Sequence, residues 1–188
     1  MFAYCVNNPI NFFDSTGDIP QAVEDKIVHD QVLKNICGWD SDLSYTETCV
    51  YYNGENWFGG FGYCDLYNRR TGEVWELKKN TVSYTCSTPV AQAQLKRYTN
   101  GTLKHHPELE LTTPNQTIIP TRTFEFSTAY AIYHVTYWYE GDGILRYSYT
   151  SKKTELGYVL STLELGLSAF LMGLYNAYAH DAGLPLIQ

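Results

Sequence analysis

The chain has 188 residues, 44% of them hydrophobic and 18% charged, which is enough apolar side chain for a real core in one domain with a short extension. A formal net charge of −7 excludes a general nucleic-acid binder that works by charge alone. Tyrosine is in excess, with 17 residues, which favours strands and aromatic packing.

In chain order, the opening Tyr4-Cys5-Val6-Asn7-Asn8-Pro9-Ile10-Asn11-Phe12-Phe13-Asp14-Ser15-Thr16-Gly17 is turn-rich and unlike the rest of the chain. Asp18 is then a helix cap with Pro20 in the first turn. From Gln21 to Cys37 the apolar Val28, Val32 and Ile36 recur at helical spacing, with Glu24 one turn earlier on the same face. His29 falls on a neighbouring face, where a solvated or packed histidine is the default expectation. Residues 45–52 read as a strand carrying Glu47, and Gly54, Gly59, Gly60 and Gly62 form a flexible stretch around Trp57 and Phe58. Gly62 to Lys78 reads as two strands joined at Asn68-Arg69-Arg70-Thr71-Gly72. Ser87 to Tyr98 is a helix opened by Ser-Thr-Pro, with Gln94 and Tyr98 one turn apart. Residues 100–122, with Gly101, Pro107, Pro114 and Pro120, read as an irregular connection, and His105 and His106 within it as solvated side chains without a third ligand.

Residues 129–149 form a second hairpin around Glu140-Gly141-Asp142-Gly143. Apolar residues on both faces of its first strand predict a strand covered on both sides, with His134 packed and hydrogen-bonded. Residues 157–179 contain one formal charge, Glu164, and are long enough to span a bilayer. Their serines, threonine, asparagine, tyrosines and glycines favour a helix packed on a sheet or on a partner, so stable membrane insertion is not expected. The five cysteines (Cys5, Cys37, Cys49, Cys64, Cys86) show no C-x-x-C pair and no zinc spacing with the five histidines, which points to reduced thiols.

The first hairpin carries the chemistry. Asp65 lies on its first strand, and the period of two in the second puts Val74, Glu76 and Lys78 on one face and Trp75, Leu77 and Lys79 on the other. Two carboxylates can fix a hard divalent cation, with the Leu77 carbonyl as a further ligand, and a lysine beside them can serve an attacking water and offset charge on a phosphorane. The same residues also read as a solvated cross-strand ion pair. Between Leu66 and Lys104 seven basic residues face two acidic ones, a balance of +5, whereas the rest of the chain carries 6 and 18. Positive charge is therefore concentrated where a phosphate backbone would lie.

An aspartate, a turn, an apolar strand ending in E-x-K and a following helix with Gln94-Leu95-x-x-Tyr98 together resemble the PD-(D/E)XK nuclease pattern, and more narrowly the restriction-endonuclease-like toxin modules of bacterial polymorphic toxins. Cys64 stands where the pattern has proline. The first 17 residues resemble the end of an RHS (rearrangement hotspot) repeat core, Y-x-x-N-N-P-x-N-x-x-D-P-x-G, with Ser15 in place of its second proline. These resemblances imply an RHS-like terminal segment over residues 1–17 and a nuclease toxin domain over residues 18–188. The implied fold is α/β, a mixed, mostly antiparallel central sheet flanked by helices.

The implied activity is Mg²⁺- or Mn²⁺-dependent cleavage of DNA. Asp65 and Glu76, with Leu77, Glu47 and Glu24 as further candidates, would bind metal, Lys78 would act in catalysis and Gln94 would assist. Arg69, Arg70, Lys79, Lys96 and Arg97 are candidates for phosphate contacts. The implied partners are DNA, a cognate immunity protein and the RHS shell, for an effector delivered into a target-cell cytoplasm. Two alternatives stay open: the same site acting on RNA, such as transfer RNA, and a non-catalytic tip that binds a membrane or partner through residues 157–179.

Overall fold

A computed structural model describes residues 21–46, 48–52, 60–81, 88–114, 119–159, 162, 163, 166 and 170. The RHS-like opening and Glu47 lie outside the described residues, as does most of the 157–179 segment. Among the described residues no helix is long and apolar enough to cross a membrane.

The chain divides into two compact units, and the larger, Asp25–Glu125 with Tyr133–Thr150, contains the first hairpin. Its first helix, α1 (Gln21–Cys37), begins in the smaller unit, has the expected bounds, and buries Val28, Val32, Leu33 and Ile36. Lys34 in the last turn favours the helix dipole, and Gly38 closes the helix through an N–H bond to the Lys34 carbonyl at 3.0 Å.

The strands form two sheets. Strands β1 (Leu43–Ser44), β4 (Leu66–Asn68), β5 (Val74–Lys79), β7 (Arg122–Ser127), β8 (Ala131–Gly141) and β9 (Ile144–Lys153) form a six-stranded sheet in the order β1-β4-β5-β9-β8-β7. The strands β2 (Cys49–Tyr52), β3 (Phe61–Tyr63) and β6 (Gly101–Leu103) form a three-stranded antiparallel sheet, β3-β2-β6. Of the expected strand over 45–52 only Cys49–Tyr52 is described as a strand, β2, and the connection expected to be irregular after Asn100 begins with a strand.

The β4–β5 hairpin turns where the sequence places it. Asn68 Oδ1 accepts from the N–H groups of Arg70 and Thr71 at 2.8 and 3.0 Å, and Gly72 supplies a φ of +73°. Strand β5 pairs with β4 antiparallel and with β9 parallel, Glu76 opposite Ile144 and Lys78 opposite Arg146. Helix α2 (Thr88–Thr99) lies between β5 and β9 in sequence and buries Ala91, Leu95 and Tyr98 in a cluster with Val50, Tyr67, Val74 and Ile144. Val74, Trp75, Glu76 and Leu77 are therefore all buried, because this strand is covered on both faces.

The β8–β9 hairpin turns on Asp142 (φ +50°) and Gly143 (φ +78°), the left-handed pair that a two-residue turn requires. Strand β8 is not covered on both faces as expected. Ala131, Tyr133, Val135 and Tyr137 are buried, while Ile132, Thr136 and Trp138 on the other face are only partly buried and His134 is exposed, so among the described residues its burial is one-sided. His134 is accordingly not packed: it is exposed and pairs with Glu125 at 3.0 Å.

In the smaller unit, Thr154 caps a helical turn over residues 155–159, accepting the Gly157 N–H at 3.0 Å and giving its own N–H to the Tyr130 carbonyl at 2.9 Å.

Candidate functional site

Three of the predicted residues meet at the open end of the β4–β5 hairpin. Asp65, one residue before β4, accepts the Leu77 N–H through Oδ2 at 2.7 Å. Its other oxygen, Oδ1, lies 3.3 Å from His29 Nε2 of α1. Glu76 is only 2% exposed and receives a hydrogen bond from Lys78 Nζ on Oε1, while its Oε2 is buried with no hydrogen-bond partner among the described residues. Residues two apart on a strand share a face, which is why the E-x-K spacing makes this pair. Glu76 is nevertheless no surface ion pair, since α2 covers its side of the strand.

The electrostatics separate the two carboxyls. Burial pushes Glu76 up from 4.5 to about 8; the Asp65 charge adds to this, and Lys78 offsets part of it. Burial works against Asp65 as well, but the hydrogen bond and charge of His29, the Lys78 charge and the Leu77 N–H outweigh it, and Asp65 is held below the usual carboxylate range. Burial likewise disfavours a charged His29, but hydrogen bonds and charge from Asp30 and Asp65 raise it from 6.5 to about 9. One carboxylate is thus firmly ionised and salt-bridged, and the other takes up a proton readily.

Helix α2 supplies the far wall. Tyr98 is buried, donates its hydroxyl to the Tyr63 carbonyl at 2.9 Å and is driven well above its ordinary value by burial, with Glu76 and Asp65 adding to the shift. One turn earlier Gln94 is half-buried, and its Oε1 is a second buried oxygen without a partner among the described residues. Cys64 is 1% exposed and burial pushes its thiol far up, consistent with a small core residue.

The remaining predicted residues have these partners. Glu24 accepts a hydrogen bond from Gln21 at 3.3 Å. Arg69 and Arg70 sit at the closed end of the hairpin, bonded to Ser44 at 3.2 Å and Asp42 at 3.1 Å, and Asn68 beside them is about 10 Å of strand from Asp65. Lys79 reaches Asp25 at 2.6 Å and lies over the Tyr149 ring. Lys96 and Arg97 are exposed on α2.

The residues missed from sequence are His29 and Asp25, which α1 presents to the hairpin and to Tyr149. Their signal was present: they are four apart, so they share a helix face.

The donor set bears on a divalent cation in a specific way. Among the described residues no three His, Cys, Asp or Glu side chains form a group that would enclose an ion. Mg²⁺ keeps several waters and takes one or two protein carboxylates, and the orphaned Glu76 Oε2 beside ionised Asp65 fits that requirement. Comparison with protein-family models, with curated proteins and with solved structures gave no match.

Proposed function

We propose that this chain is a divalent-metal-dependent phosphodiester hydrolase of restriction-endonuclease-like type, acting on DNA. The carrying observation is Glu76: a carboxyl this buried, with one oxygen on Lys78 and the other without a hydrogen-bond partner among the described residues, is costly to maintain unless a cation completes it. The order of elements supports the same reading. A first helix, an antiparallel pair bearing Asp65 and Glu76-Leu77-Lys78, a helix bearing Gln94 and a mixed sheet match the sequence pattern of that class.

Asp65 and Glu76 would hold the ion, which supplies a polarised phosphate oxygen and a more acidic water. His29 and the Leu77 N–H fix both oxygens of Asp65, so this carboxylate is oriented before anything binds. Lys78 is held in place by Glu76, where its ammonium can orient water and offset charge developing on the phosphate. Gln94 Oε1 remains as an acceptor for that water. The RHS-like opening extends the proposal to the toxin tip of a bacterial effector, with an immunity protein as its partner.

Digestion of supercoiled plasmid, single-stranded circular DNA and total RNA in parallel, with Mg²⁺ and with EDTA, tests the reading. Metal-dependent loss of DNA, abolished in Glu76→Ala and Lys78→Ala, is the expected result. No cleavage of any of these substrates by folded wild type would sink it.

A further inference from the structure

The three-stranded sheet presents two unlike faces. Its register pairs Val50 with Gly62 and Leu103, and these lie toward α2 with Tyr98. Alternation along the strands sends Cys49, Tyr51, Phe61, Tyr63, Thr102 and Lys104 to the opposite face. On that face Tyr51 stands directly across from Phe61, and the Phe61 and Tyr63 rings meet edge to face at 5.9 Å. Tyr51, Phe61 and Tyr63 are 47%, 45% and 63% exposed. Single exposed rings are ordinary, but three joined on one face indicate a binding surface.

Two features say what that surface fits. The six residues include no carboxylate and one exposed cation, Lys104, whose N–H bonds to the Cys49 carbonyl at 2.8 Å. The platform is also continuous with the hairpin site. Strand β3 runs straight into it, Tyr63 being two residues, about 7 Å, before Asp65, and the Tyr63 carbonyl is pinned by Tyr98 at 2.9 Å.

We propose that Tyr51, Phe61 and Tyr63 form a stacking platform for unpaired bases of the strand whose phosphodiester reaches Asp65 and Glu76, so that the substrate class is single-stranded nucleic acid. Every base has a π-face, whereas bases inside a duplex are already stacked and unavailable. Lys104 would neutralise a backbone phosphate beside the rings. The platform is read from the exposed rings alone, and only its delivery of a strand for cleavage rests on the hydrolase reading above.

Fluorescence anisotropy in EDTA, where no metal-dependent cleavage occurs, separates the two. The probes are labelled twelve-residue oligothymidylate and oligouridylate and a duplex of equal length, titrated with full-length wild type, Tyr51→Ala, Phe61→Ala, Tyr63→Ala and Tyr63→Phe. Single strands are expected to bind tighter than duplex, each alanine variant to bind at least about fivefold more weakly, and Tyr63→Phe to stay close to wild type. Equal affinity for the two oligonucleotides would show a platform blind to the sugar, as base stacking requires. Duplex binding as tight as single-strand binding, or alanine variants indistinguishable from wild type, would overturn the proposal. So would sedimentation showing a dimer that the alanine variants dissolve, because the face would then belong to a second copy. Single-strand binding without cleavage in Mg²⁺ would remove the hydrolase reading and leave the platform standing, and cleavage of single strands unaffected by the ring variants would do the reverse.

Discussion

Replacing Glu76 by glutamine should make the metal-free protein more stable at alkaline pH. Gln keeps the volume of Glu and leaves Lys78 an oxygen to donate to, so the substitution removes the charge with little change in packing. Burial, reinforced by Asp65, moves the Glu76 carboxyl from 4.5 up to about 8. A group whose folded-state value lies above its unfolded one contributes stability that is complete below the unfolded value and is lost as pH rises through the folded one. The window here is pH 4.5 to about 8. Each unit of displacement corresponds to about 1.4 kcal/mol, so the loss across the window is on the order of 4 to 5 kcal/mol. His29, raised to about 9, loses its contribution in the same direction between 6.5 and 9, while Asp65, held low, loses its own only in acid. Urea unfolding in EDTA at pH 5, 7 and 9, followed by the fluorescence of the four tryptophans, gives the profile. Wild type should fall by several kcal/mol from pH 5 to 9, and Glu76→Gln should be markedly flatter and more stable at pH 9. Parallel profiles for the two proteins would refute the reasoning, because the titrating group would then not be Glu76.

Other substitutions separate orientation from architecture. His29→Ala releases Asp65 Oδ1 without removing a proposed ligand and should weaken Mn²⁺ binding by about 10- to 100-fold in calorimetric titration, with the fold retained by circular dichroism. Tyr98→Phe strands the Tyr63 carbonyl and should cost about 1–3 kcal/mol in urea unfolding. Gly72→Ala puts a Cβ 2.2 Å from the Glu110 carbonyl oxygen at a φ of +73°, and should cost more than about 2 kcal/mol in the same measurement.

Local patterns carried a great deal of this molecule. The helical spacing of Val28, Val32 and Ile36 gave α1, the caps gave α2 within one residue at each end, and Asn68-Arg69-Arg70-Thr71-Gly72 and Gly141-Asp142-Gly143 gave both turns. Each of these depends on interactions between residues a few positions apart, which is why the sequence shows them. The meeting of Asp65, Glu76 and Lys78 was legible for the same reason, since a hairpin and a period of two suffice to align them.

Partners distant along the chain were not legible. A strand's alternation says which side chains share a face but not what covers it, so Glu76 could equally be a surface ion pair until α2 and β9 enclosed it. The basic residues counted together in the sequence were divided by the fold. Arg69 and Arg70 went to the closed end of the hairpin, and Lys79 went to Asp25. Sequence by itself determined both helices α1 and α2, the two hairpin turns and the carboxylate–lysine pair, because these are set within one or two turns or strand repeats. The tertiary structure decided that Glu76 is buried with an open oxygen, that His29 steadies Asp65, and that three tyrosine and phenylalanine rings share an exposed face beside them. Burial and charge coupling depend on which segments pack together, and no local spacing encodes that.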